Sequence, residues 1–127
     1  MSSAAVETLL RELEAAERSD RLLDAKLAAV FGYRRIRSAS EEETGKPRWV
    51  APTGEEVTMI PFYTTSIDEA LTLLQWGVAS EDWGVSWEEG IASAQIASEP
   101  PCQASTPALA LCMAAVNRYV ALAAAAP

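Results

Sequence analysis

The chain has 127 residues, half of them apolar and 22% charged, with a formal net charge of −8 and no histidine. That length and balance describe one globular domain with a single core. An acidic surface repels nucleic acid and anionic membrane alike, so neither is expected as a direct partner. Without histidine there is no Ser-His-Asp or Cys-His dyad, no His-ligated zinc and no imidazole base.

Residues 4–18 are expected to be helical. Val6, Leu9, Leu10, Leu13 and Ala16 form an apolar stripe, and Glu7–Arg11 and Glu14–Arg18 are favourable i,i+4 pairs. No secretory leader is expected, because the N-terminus lacks a basic flank and Glu7, Arg11, Glu12 and Glu14 interrupt any apolar run. Ser19 or Asp20 can cap a second helix ending near Val30, with Leu23, Leu27 and Val30 inward. No Gly or Pro separates the two, so one long kinked helix is the alternative. The division expected is an N-terminal helix, residues 1–19, packed on a single α+β domain, residues 20–127.

Residues 33–38 read as a strand with Tyr33, Arg35 and Arg37 on one face and Arg34 and Ile36 on the other. Residues 38–46 are polar and acidic and read as a loop. Residues 48–51 and 57–62 read as the second and third strands, separated by the turn residues Pro52-Thr-Gly54. Ser66 and Glu69 then form a capping box ahead of Ile67, Ala70, Leu71 and Leu74, which share one helical face. Gly77 is placed to end that helix.

Trp83, Val85 and Trp87 alternate with Gly84, Ser86 and Glu88, the period of a half-buried strand. Glu88-Glu89-Gly90 suits a tight hairpin turn, with residues 91–97 as the returning strand. Residues 98–105, with Pro100-Pro101, read as an irregular connection. Thr106-Pro107 starts a last helix whose inner stripe is Ala108, Leu111, Cys112, Ala115, Tyr119 and Leu122. Asn117 and Arg118 interrupt this apolar stretch, so no membrane span is expected. Cys102 and Cys112 make no CxxC pair and read as reduced thiols, and the expected location is the cytoplasm. The fold class expected is α+β, a helix/sheet/helix layered sandwich. Its mostly antiparallel sheet would have about five strands, with three to four helices.

Three blocks carry a resemblance. They are Leu13-Glu-Ala-Ala16 with Arg21-Leu-Leu-Asp-Ala25, Tyr63-Thr-Thr-Ser-Ile-Asp-Glu-Ala-Leu-Thr-Leu73, and Ser105-Thr-Pro-Ala-Leu-Ala-Leu-Cys-Met-Ala-Ala115. In this order they resemble small phage and prophage proteins similar to the phage ABA sandwich domain family. The resemblance implies a sheet between helical layers and a bacterial host, and it carries over no catalytic residue.

Five of the ten basic residues, Arg34, Arg35, Arg37, Lys46 and Arg48, fall in one short span beside Tyr33 and Trp49. Guanidinium forks hold phosphate bidentately and aromatic planes stack bases. The candidate ligand-binding residues are therefore Tyr33, Arg35, Arg37, Arg48 and Trp49, for a small anionic, nucleotide-like ligand. The bland alternative is that these arginines offset Glu41, Glu42 and Glu43. The acidic pairs Glu55-Glu56, Glu81-Asp82 and Glu88-Glu89 read as solvated turn charges, and Thr44-Gly-Lys-Pro47 lacks the upstream Gly of a phosphate loop. Trp83 and Trp87 suit core filling, a pocket or a dimer contact, and the Ala-rich last helix suits tight packing or self-association. No cofactor or metal is called for. The expected function is a non-enzymatic binding protein that sequesters a host-defence signal. An acidic inhibitor docking on a host protein is the alternative, and a small enzyme the third reading.

Overall fold

The computed structural model describes residues 2–36, 48–78 and 82–125. Ser2 caps helix α1 (Ser3–Ala15) by accepting from the Ala5 N–H at 3.2 Å, and α1 buries Val6, Leu9 and Leu13. The backbone is already extended at Ala16, and Asp20 caps helix α2 (Arg21–Val30) through the Leu22 N–H at 2.8 Å. The two are therefore separate helices and not one kinked rod. Their burial completes a single core cluster shared with every later helix.

Strands β1 (Arg34–Ile36), β2 (Arg48–Val50) and β3 (Glu56–Val57) form an antiparallel sheet in that order. The third strand is shorter than its alternation predicts. Arg21 donates to the carbonyls of Ile60 and Pro61 at 2.9 and 3.0 Å, and Pro61 has no N–H for a ladder. Ser66 caps helix α3 (Ile67–Thr72), accepting from Glu69 N–H at 3.3 Å. Only that half of the capping box forms. The Glu69 carboxylate accepts from the Phe62 N–H, while the Ser66 N–H donates to the Phe62 carbonyl.

α3 does not end at Gly77. It widens into a π-helical turn (Leu73–Val78), so the adjacent Leu73 and Leu74 are both buried, while Ile67, expected inward, is exposed.

A second antiparallel sheet comes next in the chain, made of β4 (Trp83–Glu88), β5 (Ile91–Ile96) and β6 (Cys102–Ala104). β4 and β5 pair without interruption through a two-residue turn, where Glu89 and Gly90 both take positive φ. β6 lies inside the stretch expected to be irregular. Pro100-Pro101 masks it in the sequence, but Cys102 and Ala104 point inward with Ala92, Ala94 and Ile96. Ser86, Ser93, Gln95 and Gln103 occupy the opposite, wetter face.

Where one sheet of about five strands is expected, the six described strands thus divide into two sheets of three, and the fold is α+β with four α-helices among the described residues.

Helix α4 (Pro107–Ala125) starts as expected, with Thr106 Oγ1 accepting from the Leu109 N–H at 3.2 Å. Its first half is buried all round from Ala108 to Val116, because β5 and β6 cover one side and α1, α3 and the π-turn cover others. The predicted single stripe therefore understates its burial, and Leu122, expected inward, is exposed. By length and composition alone α4 meets the requirements of a membrane span despite Asn117 and Arg118, with half of the apolar window buried in the fold. Both cysteines are free and buried.

A candidate ligand-binding cleft

Strand alternation sorts the first sheet into two faces. Arg35 lies opposite Trp49, and Trp49 opposite Val57, so these three share a face, which Tyr33, Ala51 and Glu55 continue. Ile36 lies opposite Arg48, and Val50 opposite Glu56, on the other face. There Arg48 Nε sits 2.6 Å from Glu56 Oε1, paired by charge without a well-aligned hydrogen bond.

Of the five candidate residues, the structure therefore brings Tyr33, Arg35 and Trp49 together. It puts Arg48 on the far face beside a carboxylate, and Arg37 lies outside the described residues. The two Arg-bearing strands pair antiparallel, β1 with β2. The Arg35 guanidinium lies 5.4 Å from the centroid of the Trp49 ring, within cation–π range.

This face forms one wall of a cleft of about 370 Å³. Tyr33, Ala51, Glu55 and Val57 line it from the sheet and its turn, Pro61 and Tyr63 from the connection after β3, and Thr72, Leu73 and Trp76 from the end of α3 and the π-turn, while Arg35 and Trp49 share the sheet face beyond this lining. That volume lies within the usual range of small-ligand sites. Three larger hollows, of about 590, 600 and 390 Å³, lie on the wet face of the second sheet, between α1 and the end of α4, and beside Trp87 at the start of α4. None gathers aromatic side chains from two independent elements as this cleft does.

The far end of the cleft is fixed by a buried polar clip. Asp24 is fully buried, and its carboxylate accepts from the Thr64 N–H and hydroxyl, each at 2.7 Å, and from Arg21 at 2.8 Å. Thr64 Oγ1 also accepts from the Asp20 N–H at 2.9 Å. Arg21 spans from Asp24 to the carbonyls of Ile60 and Pro61, with its guanidinium 3.8 Å over the Phe62 ring. A charge buried this completely is tolerated because its lone pairs are met by charge-assisted donors. The clip holds residues 60–64 against α2 and thereby sets Pro61 and Tyr63 in the cleft wall.

Sequence reasoning passed over this clip. The one signal was an Asp at position 24, flanked on α2 by inward Leu23 and Leu27, three residues after Arg21.

Burial, and then the neighbouring Tyr33, push the Tyr63 phenol far above its ordinary value, so it stays a neutral hydrogen-bonding group. Burial and the nearby Asp24 do the same to Cys112, whose Sγ donates to the Tyr63 carbonyl at 3.4 Å. Burial also raises Cys102, with partial relief from Asn117. Both thiols therefore remain protonated at neutral pH, the form that is neither a nucleophile nor a metal ligand. Among the described residues no three His, Cys, Asp or Glu side chains gather as a metal site. Compared with known proteins, the chain matches no protein-family model, no curated protein and no solved structure.

Proposed function

We infer that this chain is a non-enzymatic binding protein whose cleft takes a small planar ligand bearing an anionic group, of nucleotide type. The observation that carries this reading is the placement of Tyr33 and Trp76 on walls contributed by separate elements, with the Arg35–Trp49 pair on the same sheet face just beyond the lining. Aromatic faces supply stacking for a base or similar ring, and a guanidinium supplies charge-assisted hydrogen bonds to phosphate or carboxylate. The neutral phenol of Tyr63 and the protonated thiols support binding over chemistry. The bacterial-host setting and the sequestering of a defence signal enter this reading through the sequence resemblance alone.

Differential scanning fluorimetry against mononucleotides, dinucleotides and cyclic nucleotides tests it. At least one nucleotide should raise Tm and quench tryptophan fluorescence, with both effects lost in Trp76→Ala and weakened in Arg35→Ala. Absence of any shift across the panel overturns the reading.

Docking on a host protein is the second reading, favoured by exposed Glu88 and Glu89 at the hairpin turn. Reversing both charges should then abolish recovery of that protein in a pull-down, leaving nucleotide shifts untouched.

A further inference from the structure

We propose that the outer edge of β4 pairs with β4 of a second copy, antiparallel about Val85, joining two three-stranded sheets into one of six. The strand ends of the first sheet are short, three residues in β1 and two in β3. β6 is an edge of three residues that comes after Pro100-Pro101. Short strands and prolines are the usual means of blunting an edge against pairing. β4 carries neither. Its six residues run in unbroken register with β5, without bulge, proline or lysine, and no strand among the described residues pairs with its outer side.

The side chains of β4 suit a copy of itself. In a sheet, residues directly opposite must point to the same face, so a two-fold antiparallel pairing centres on one residue. Centring on Val85 sets Trp83 opposite Trp87 of the second copy, twice, and Gly84 opposite Ser86, twice. Both tryptophans lie on the core-facing side of the strand, level with Ile96 and Ala92. Yet Trp83 is 40% and Trp87 63% exposed, because α4 packs chiefly on β5 and β6 and leaves β4 overhanging. Exposed Ile67 lines the same shallow hollow as Trp87 and extends this apolar shelf. Pairing would close the shelf with two tryptophan–tryptophan cross-strand contacts, each of which adds to the stability of the joined sheet.

The contact would bury on the order of 1,000 Å² in total, at the low end for a specific interface. The same register sets Asp82 opposite Glu88 of the second copy at both ends. These like charges oppose association and are screened by salt.

Sedimentation velocity of the full chain, from micromolar to several hundred micromolar in low and high salt, tests the pairing. A monomer–dimer equilibrium is expected that tightens as salt rises, with a blue shift of tryptophan emission on association. Glu88→Lys places a lysine opposite Asp82 and should tighten the dimer about tenfold. Adding Asp82→Lys to it should return the weakness of the unmodified chain. Trp87→Lys should leave a monomer with an unchanged circular dichroism spectrum. A chain that stays monomeric in high salt at the highest concentration overturns the proposal. So does a dimer that is indifferent to both Glu88→Lys and Trp87→Lys.

Discussion

The two sheets are held in place by different means. The second is specified by its own alternation: Ala92, Ala94 and Ile96 face α4, Ser93 and Gln95 face away, and a two-residue turn fixes the register. The first has only short strands, and its surroundings are set from outside by α2 through the Arg21–Asp24–Thr64 clip. A sheet built by pattern tolerates little change on one face and almost any on the other. A sheet built by a clip can have its wall moved by a substitution on a different element. The binding cleft lies beside the second kind.

Three tests sharpen this contrast. The largest effect is expected at the dry face of the second sheet, where Ile96→Asp buries an unpaired charge and should exceed the whole stability of the domain. Gln103→Asp, on the wet face of the adjacent strand, should stay within about 0.5 kcal/mol of the parent in urea denaturation. Equal losses in the two would break the account of a one-sided sheet.

Next comes Asp24→Ala. It strands the Thr64 N–H in the interior, leaves its hydroxyl only the Asp20 backbone, frees Arg21 from its carboxylate, and should cost about 3 kcal/mol. Hydrogen exchange should then accelerate first in residues 56–64 while 92–96 remain protected, and nucleotide shifts should vanish with the fold intact. Uniform acceleration would mean that the clip serves the whole core and not the cleft.

The smallest effect is alkaline. The Cys112 thiol and Tyr63 phenol are raised above their ordinary values of 9.0 and 10.0 in the folded protein. Above those values the unfolded chain releases protons that the native one retains, so stability is full below about pH 9 and falls as pH rises beyond it. Urea midpoints should decline through about pH 9 to 10.5, and Cys112→Ala should flatten the first part of that decline, whatever its own cavity cost.

Much of the second half of the chain was legible because its signals are local. Thr106-Pro107 starts α4, the Trp83–Val85–Trp87 alternation gives β4, and Glu89-Gly90 turns the hairpin. β6 was not legible, since two prolines outweigh a three-residue alternation when the pairing partner is unknown. The separation into two sheets was equally hidden. It depends on which strands pair with which, and no spacing within a strand reports that.

At the cleft, alternation placed Tyr33 and Arg35 on one face, and the β1–β2 pairing sets Trp49 beside them. Arg48 landed opposite because strand register decides its face, and register was not readable across the intervening loop. Trp76 escaped because a helix of ordinary pitch ending at Gly77 gives no reason to single it out.

The turn that carries Trp76 contains, in effect, one residue more than an α-helix of the same span needs. Deleting Gln75 would restore ordinary pitch and give Trp76 a new bearing about the helix axis relative to Leu73 and Leu74, which precede the deletion. The aromatic wall would move, although no lining residue of the cleft had been altered. A one-residue insertion or deletion there is thus a short evolutionary route between a chain with an aromatic-walled cleft and one without it.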